Sequence, residues 1–351
     1  MSHFNISHVK ISGLAVGVPA KNIDNQKNPL FKPAEAESFI KNIGIAHVRR
    51  AEGKSLTDLC LPVAKKLMGD LKWNHNTLEL LVLITQTPDY KIPPASLILQ
   101  DKLQMPKTSM AFDINLGCSG YVYGLYVIAS LMKASGQKKA LLCVGDISSS
   151  CISEYDKSTA PLFSDAVSVT ALELTDSPCP MYFNLQSDGS GFDAIKINDG
   201  GSRNPLKTTS LCYMEEQQGV KLRPVDMHLN GIKVFNFSLR EVVANINALL
   251  NYKNDTLNNY DYVILHQANK LMNESIRKKL NLPIEKVPSS MFEYGNTSSA
   301  SIPLTLVHAL QKKLIANPLK LILSGFGVGL SWGSVALEID SIICPELIEI
   351  E

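Results

Sequence analysis

Short unbroken runs of apolar residues alternate along this chain with segments of helix length. Leu80-Leu81-Val82-Leu83-Ile84 is apolar at every position, the pattern of a strand buried on both faces. Tyr262-Val263-Ile264-Leu265 repeats it about 180 residues later and runs into His266. A loop and a helix-length segment follow each run, Pro94 to Leu103 in one case and Asn269 to Leu280 in the other. The correspondence continues. Ala111-Phe112-Asp113-Ile114-Asn115 leads into Gly117-Cys118-Ser119-Gly120, and Ser290-Met291-Phe292-Glu293-Tyr294 leads into Gly295-Asn296-Thr297-Ser298. Helix-length segments follow (Tyr121 to Ala134, Ile302 to Ala316), then apolar strands (Ala140 to Val144, Leu319 to Leu323). The predicted order is strand, helix, strand, helix, strand, twice over.

Alternation of this kind builds βαβ units with right-handed crossovers. The pattern therefore predicts an α/β fold of two pseudo-twofold-related βαβαβ halves. Their boundary is expected near Asp176-Ser177-Pro178-Cys179-Pro180, giving residues 1–180 and 181–351. The stretch from Ser187 to Gly231 is rich in Gly, Asn, Asp and Ser and reads as loops and short strands.

Composition narrows the function classes. The chain has 351 residues and is 45% hydrophobic, enough apolar material to exclude a disordered protein. The net charge is +1, from 34 basic against 33 acidic residues, which argues against nucleic acid as the main ligand. No run of 18 apolar residues predicts a membrane span, and Met1 to Pro19 lacks the order of a secretion signal, so a cytoplasmic location is expected. The seven cysteines are odd in number and include no C-x-x-C pair, which predicts neither a disulfide framework nor a zinc ribbon. No metal site or cofactor is expected.

Candidate chemistry falls at equivalent ends of the repeated elements, where α/β sheets bind ligands. Cys118 lies between Gly117 and Gly120 at a strand-to-helix turn. A helix start can lower a thiol pKa and offer backbone N–H groups to an oxyanion, so Cys118 reads as a nucleophile; the competing reading is a small packing residue. His266 ends its strand, either as a base or hydrogen-bond donor or as a structural histidine. Asn296 precedes a helix, either as a functional amide or as an N-cap. The run Ser324-Gly325-Phe326-Gly327-Val328-Gly329-Leu330-Ser331-Trp332-Gly333 can bring backbone N–H groups to a carbonyl, or can be a plain turn between strands.

Four pieces together resemble the β-ketoacyl-acyl carrier protein synthase III family of thiolase-like condensing enzymes. They are Asp113-Ile114-Asn115-Leu116-Gly117-Cys118-Ser119-Gly120, His266-Gln267-Ala268-Asn269, Tyr294-Gly295-Asn296-Thr297-Ser298-Ser299-Ala300-Ser301-Ile302-Pro303 and Phe326-Gly327-Val328-Gly329-Leu330-Ser331-Trp332-Gly333. The resemblance spans nearly the whole chain and implies a thiolase-like, layered αβαβα core. It implies that Cys118 carries an acyl group as a thioester. A malonyl thioester, on acyl carrier protein, would then lose CO₂ and condense with that group to a β-ketoacyl thioester.

In the implied roles, His266 and Asn296 stabilise the enolate, and the backbone N–H groups of Cys118 and Val328 form the oxyanion hole. Asn269 would orient the pantetheine. Lys270, Arg277, Lys278 and Lys279 would form a basic rim for the carrier protein, or else an ordinary solvated helix face. Acyl carrier protein and coenzyme A thioesters are the implied partners, and a homodimer the implied assembly.

The chain also departs from the family pattern. Ser38 and Asn42 stand where relatives using acetyl-CoA carry Trp and Arg, and Leu271 replaces an Arg. Phe163-Ser164-Asp165-Ala166-Val167-Ser168 replaces an F-G-D-G-A-G run, and Ile92 replaces an aromatic at the acyl pocket. These changes point to a specialised homologue in secondary metabolism or unusual lipid synthesis. An acyltransferase without decarboxylation, and a catalytically silent partner subunit, are the competing functions.

Overall fold

Apolar runs become the central strands of two sheets in the computed structural model, which describes residues 3–217 and 220–351. The first sheet orders its strands Ile348–Ile350, Val9–Pro19, Ala166–Leu174, Lys139–Asp146, Leu80–Ile84 and Met110–Ile114. The second runs His3–Ile6, Met181–Ser187, Ser331–Ile339, Leu319–Gly327 and Tyr262–Leu265. Set side by side, the two orders match strand for strand from Val9–Pro19 and from Met181–Ser187 onward. The repeat in the sequence is thus a repeat in topology. The terminal strands cross between halves: His3–Ile6 pairs with Met181–Ser187, and Ile348–Ile350 pairs with Val9–Pro19.

One predicted strand is absent. Ser290 to Tyr294, expected to match Met110–Ile114, forms a single helical turn over Met291–Tyr294 instead. Tertiary contacts explain the difference. Met291 packs with Ile45 and Val48, and the Phe292 carbonyl accepts the Ala46 N–H at 2.9 Å, so the segment is held away from the sheet edge. The second sheet accordingly stops at Tyr262–Leu265.

Five layers result. Helices Gly120–Ser135 and Ser301–Ala316 lie between the sheets, where Tyr121, Leu125, Ile128, Ile302, Leu306 and Leu310 join one core with residues of both sheets. Helices Leu56–Asp70 and Ala95–Lys102 cover the outer face of the first sheet. Helices Gly231–Lys253 and Lys270–Lys279 cover that of the second. Each fully buried Leu or Ile in such a core contributes about 1.5–3 kcal/mol. This is the αβαβα order that the resemblance implied. Among the described residues, no helix is long and apolar enough to cross a membrane.

The central helix that follows Cys118 approaches its sheet unusually closely. A Cβ on Gly120 would lie 2.6 Å from Ile84, and one on Gly124 would lie 2.4 Å from the same side chain. The two glycines, one helical turn apart, set how deep the helix start sits against the strand end.

Candidate active site

Cys118 sits at the turn from Met110–Ile114 into helix Gly120–Ser135 and is 8% exposed. Glycines surround it. A Cβ on Gly327 would fall 2.9 Å from its sulfur, and one on Gly325 would fall 3.0 Å from its carbonyl oxygen. The glycine-rich run 324–333 is the turn joining Leu319–Gly327 to Ser331–Ile339, and it also wraps the thiol. The backbone N–H of Val328 points at the sulfur.

His266 continues strand Tyr262–Leu265, its N–H bonded to the Ser324 carbonyl at 2.8 Å. Nδ1 lies 2.7 Å from the Ser301 hydroxyl, which also takes the Gln267 N–H at 3.4 Å. The Ser301 hydroxyl can donate to Nδ1, and in that tautomer the ring proton sits on Nε2. Asn273 donates to the His266 carbonyl at 3.0 Å, and Phe326 meets the ring edge-on.

Asn296 is not a helix N-cap. Its Oδ1 accepts the Ser298 N–H at 3.0 Å, and its backbone is clamped by the Leu162 carbonyl and the Ser164 N–H, both at 2.9 Å. Gly295 before it has φ +61°, and a Cβ there would strike Val48 and the Leu162 carbonyl. The amide is thereby oriented, and Nδ2 has no protein partner among the described residues.

Two passages meet at the thiol. A narrow one is lined by Cys118, His266, Asn296, Ala268, Asn269 and Phe326, among others. A wider cavity of about 220 Å³ runs from Cys118 along Phe163, Ile195, Met227 and Val328. Cys118, His266, Asn296 and Asn269 line one passage and Cys118 and Val328 the other.

The remaining expected residues do not converge there. Asn269 caps helix Lys270–Lys279 through Met272 N–H at 2.8 Å, so its Oδ1 is engaged. Lys270 donates to the Lys41 carbonyl, Lys279 to the Leu239 carbonyl, and Arg277 is held by Glu274 at 2.7 Å. None of these four basic residues lines either passage, and only Lys278 stands exposed without a partner among the described residues. Ile92 is 84% exposed and lines neither passage; the apolar wall comes from Phe163, Ile195, Met227 and Val328 instead.

The electrostatics reverse one expectation. Burial pushes the Cys118 thiol up to about 11, and the nearby Asp146 adds to this; the Ser298 hydroxyl and the Val328 N–H oppose it. The helix start does not win, because desolvation of a sulfur anion outweighs it here. Burial holds His266 down at about 3, partly offset by the Ser298 backbone, so the imidazole is neutral at ordinary pH. The resting pair is a thiol beside a neutral imidazole. Alkylation of Cys118 by iodoacetamide should then rise about tenfold per pH unit from pH 7 to 10, because the thiolate fraction does. Peptide mapping of the modified cysteine measures it, and a plateau below pH 8 would contradict the raised pKa.

Sequence reasoning missed three residues of this setting. Asp146, at the end of strand Lys139–Asp146, accepts from Thr85, Thr87, Ser299 and the Gln86 N–H. Its position after an apolar run is the same signal that marked His266. Ser301 and Ser298 read as helix-start residues, and nothing in their spacing marks them as partners of His266 and Cys118.

A five-layered α/β core with a buried cysteine at the start of a central helix is the arrangement of thiolase-like condensing acyltransferases. Comparison with known proteins specifies the family. Residues 112–189 match the 3-oxoacyl-[acyl-carrier-protein] synthase III model, and residues 250–339 match that family's C-terminal model. A putative 3-oxoacyl-[acyl-carrier-protein] synthase 3 of Campylobacter jejuni is 32% identical over 338 residues, 93% of each chain. A β-ketoacyl-[acyl-carrier-protein] synthase III of Streptococcus pneumoniae is 30% identical, covering 95% of this chain and all of its own. The crystal structure of a 3-oxoacyl-(acyl-carrier protein) synthase from Burkholderia xenovorans superposes with a TM-score of 0.93 at 34% identity over 99% of both chains. The chain belongs to the 3-oxoacyl-[acyl-carrier-protein] synthase III family.

Proposed function

We propose that the protein condenses an acyl group, held on Cys118, with a malonyl thioester to give a β-ketoacyl thioester. The observation that carries the reading is that the His266 ring and the Asn296 amide, whose Nδ2 has no protein partner among the described residues, line the passage that reaches the thiol. In the first step the Cys118 sulfur attacks the acyl thioester, and the leaving thiol takes away the proton that Cys118 gives up. Backbone N–H groups of Cys118 and Val328 stabilise the tetrahedral oxyanion. In the second step the malonyl carboxylate leaves as CO₂, and its bonding electrons move onto the thioester as an enolate. His266 and Asn296 donate to that oxygen. The carbanion attacks the acyl carbonyl, Cys118 leaves as a thiolate, and solvent reprotonates it. A neutral imidazole serves this step well, since it donates a hydrogen bond without having to surrender a proton.

The expected substrates are an acyl thioester and malonyl-acyl carrier protein. A carrier-borne acyl donor is favoured over coenzyme A. On helix Pro33–Ile43, Ser38 and Asn42 bond to each other at 3.1 Å, with no ring or guanidinium at those positions to grip an adenine. This supports a specialised role, away from the housekeeping initiation of fatty acid synthesis. The test offers acyl groups on coenzyme A and on carrier protein, reads adducts on Cys118 by intact mass, then adds malonyl-carrier protein and measures CO₂. Adduct formation with faster loading from the carrier, followed by CO₂ release, is expected. An adduct without CO₂ release would make the protein a plain acyltransferase, and no adduct from any donor would make it a silent subunit.

A further inference from the structure

The chemistry above uses the apolar side of the 220 Å³ cavity and leaves its opposite side unexplained. Because His266 and Asn296 line the other passage, the malonyl thioester occupies that one. The acyl group on Cys118 must then extend into the wider cavity. Phe163, Ile195 and Met227 suit a hydrocarbon there, but Ser148 and Gln86 do not.

Ser148 is 3% exposed and lines the cavity, yet its hydroxyl bonds to nothing among the described residues. The Gln86 carboxamide, exposed at the cavity rim, also has no protein partner among them. It lies directly over Gly117: a Cβ there would come 2.2 Å from Gln86 Oε1. The residue before the nucleophile therefore lacks a side chain where the amide projects. Two neighbouring polar groups are already matched, while Asn115 and Lys196 lie exposed at the rim. Asp146 accepts from four donors around it, and the Thr87 hydroxyl takes the Ile147 N–H at 2.8 Å.

An unsubstituted alkyl chain would strip water from the buried Ser148 hydroxyl and return no hydrogen bond. That loss weakens binding about tenfold or more. A site with unmatched polar groups discriminates strongly in favour of the ligand that matches them. We propose that the acyl group this enzyme carries is a short chain bearing a hydroxyl, which Ser148 and the Gln86 amide recognise. Both groups donate and accept, which is what a hydroxyl requires. The proposal rests on the condensing role assigned to Cys118.

The experiment is a competition. The full-length protein receives equal 3-hydroxybutyryl and butyryl thioesters, and intact mass reads the two Cys118 adducts, which differ by one oxygen atom. The hydroxylated adduct is expected to lead at least about tenfold. In Ser148→Ala the ratio should fall by about tenfold, and in Gln86→Leu by less, whereas Ser148→Thr, which keeps a hydroxyl, should hold it. Equal loading or a butyryl preference in the unaltered protein overturns the proposal. So does a ratio that neither Ser148→Ala nor Gln86→Leu changes, or one that Ser148→Thr also loses, since packing would then be the cause. Absence of both adducts fails the condensing role itself, a result distinct from loading without preference.

Discussion

Cys118→Ala should abolish acyl loading and lower condensation by about 10⁴ or more. The size of the effect follows from the mechanism. The covalent thioester divides one difficult carbon–carbon bond formation into two steps, and among the described residues Cys151 is the one other cysteine that lines either passage. Cys60, Cys143 and Cys344 are buried in packing clusters away from the passages. Cys151 lines the acyl cavity, but its sulfur points to the Ser148 carbonyl at 3.3 Å and burial raises its pKa to about 12. The fold should survive, because alanine fills the same tight space between Gly325 and Gly327 without a clash. The variant should also keep slow decarboxylation of malonyl thioester, since His266 and Asn296 remain. Mass of the loaded protein, product formation and CO₂ release read the three effects separately. Condensation above about one per cent of the unaltered rate would remove Cys118 from the role of nucleophile.

The second large effect belongs to the enolate donors. His266→Ala and Asn296→Asp should each lower decarboxylation by about 10²–10³, the usual loss for one donor aimed at developing negative charge. Asn296→Asp is the sharper test. Aspartate keeps an oxygen to accept the Ser298 N–H and nearly the same shape, but turns the Nδ2 donor into a repelling oxygen. Acyl loading at Cys118 should suffer much less, because its oxyanion is held by backbone N–H groups. The double variant should lose less than the product of the two single losses, since both donors serve one oxygen. A fall in acyl loading as large as the fall in CO₂ release would assign the pair to general integrity of the site.

Much of this site was legible in advance for a local reason. Cys118, His266 and Asn296 each stand where an apolar run meets a glycine or a polar loop, and strand ends are where such folds bind ligands. The basic residues after His266 are a different case. Charge is visible in a sequence, but the pairing of Arg277 with Glu274 and of Lys270 with the Lys41 carbonyl is not. Ile92 shows the same limit, since its exposure depends on where the loop before helix Ala95–Lys102 carries it.

By itself the sequence determined the two-fold repeat, the buried strands and the three candidate positions, because periodicity and strand ends are local properties. Tertiary structure alone decided four matters. It turned Met291–Tyr294 into a helical turn through its contacts with Ile45 to Val48. It exchanged the terminal strands between the two sheets. It oriented Asn296 and His266 through Ser298 and Ser301. It raised the Cys118 thiol to about 11 rather than lowering it. The reason is common to all four: hydrogen-bond partners, solvent exclusion and strand neighbours are supplied by residues distant in the chain. Spacing along a sequence carries no record of them.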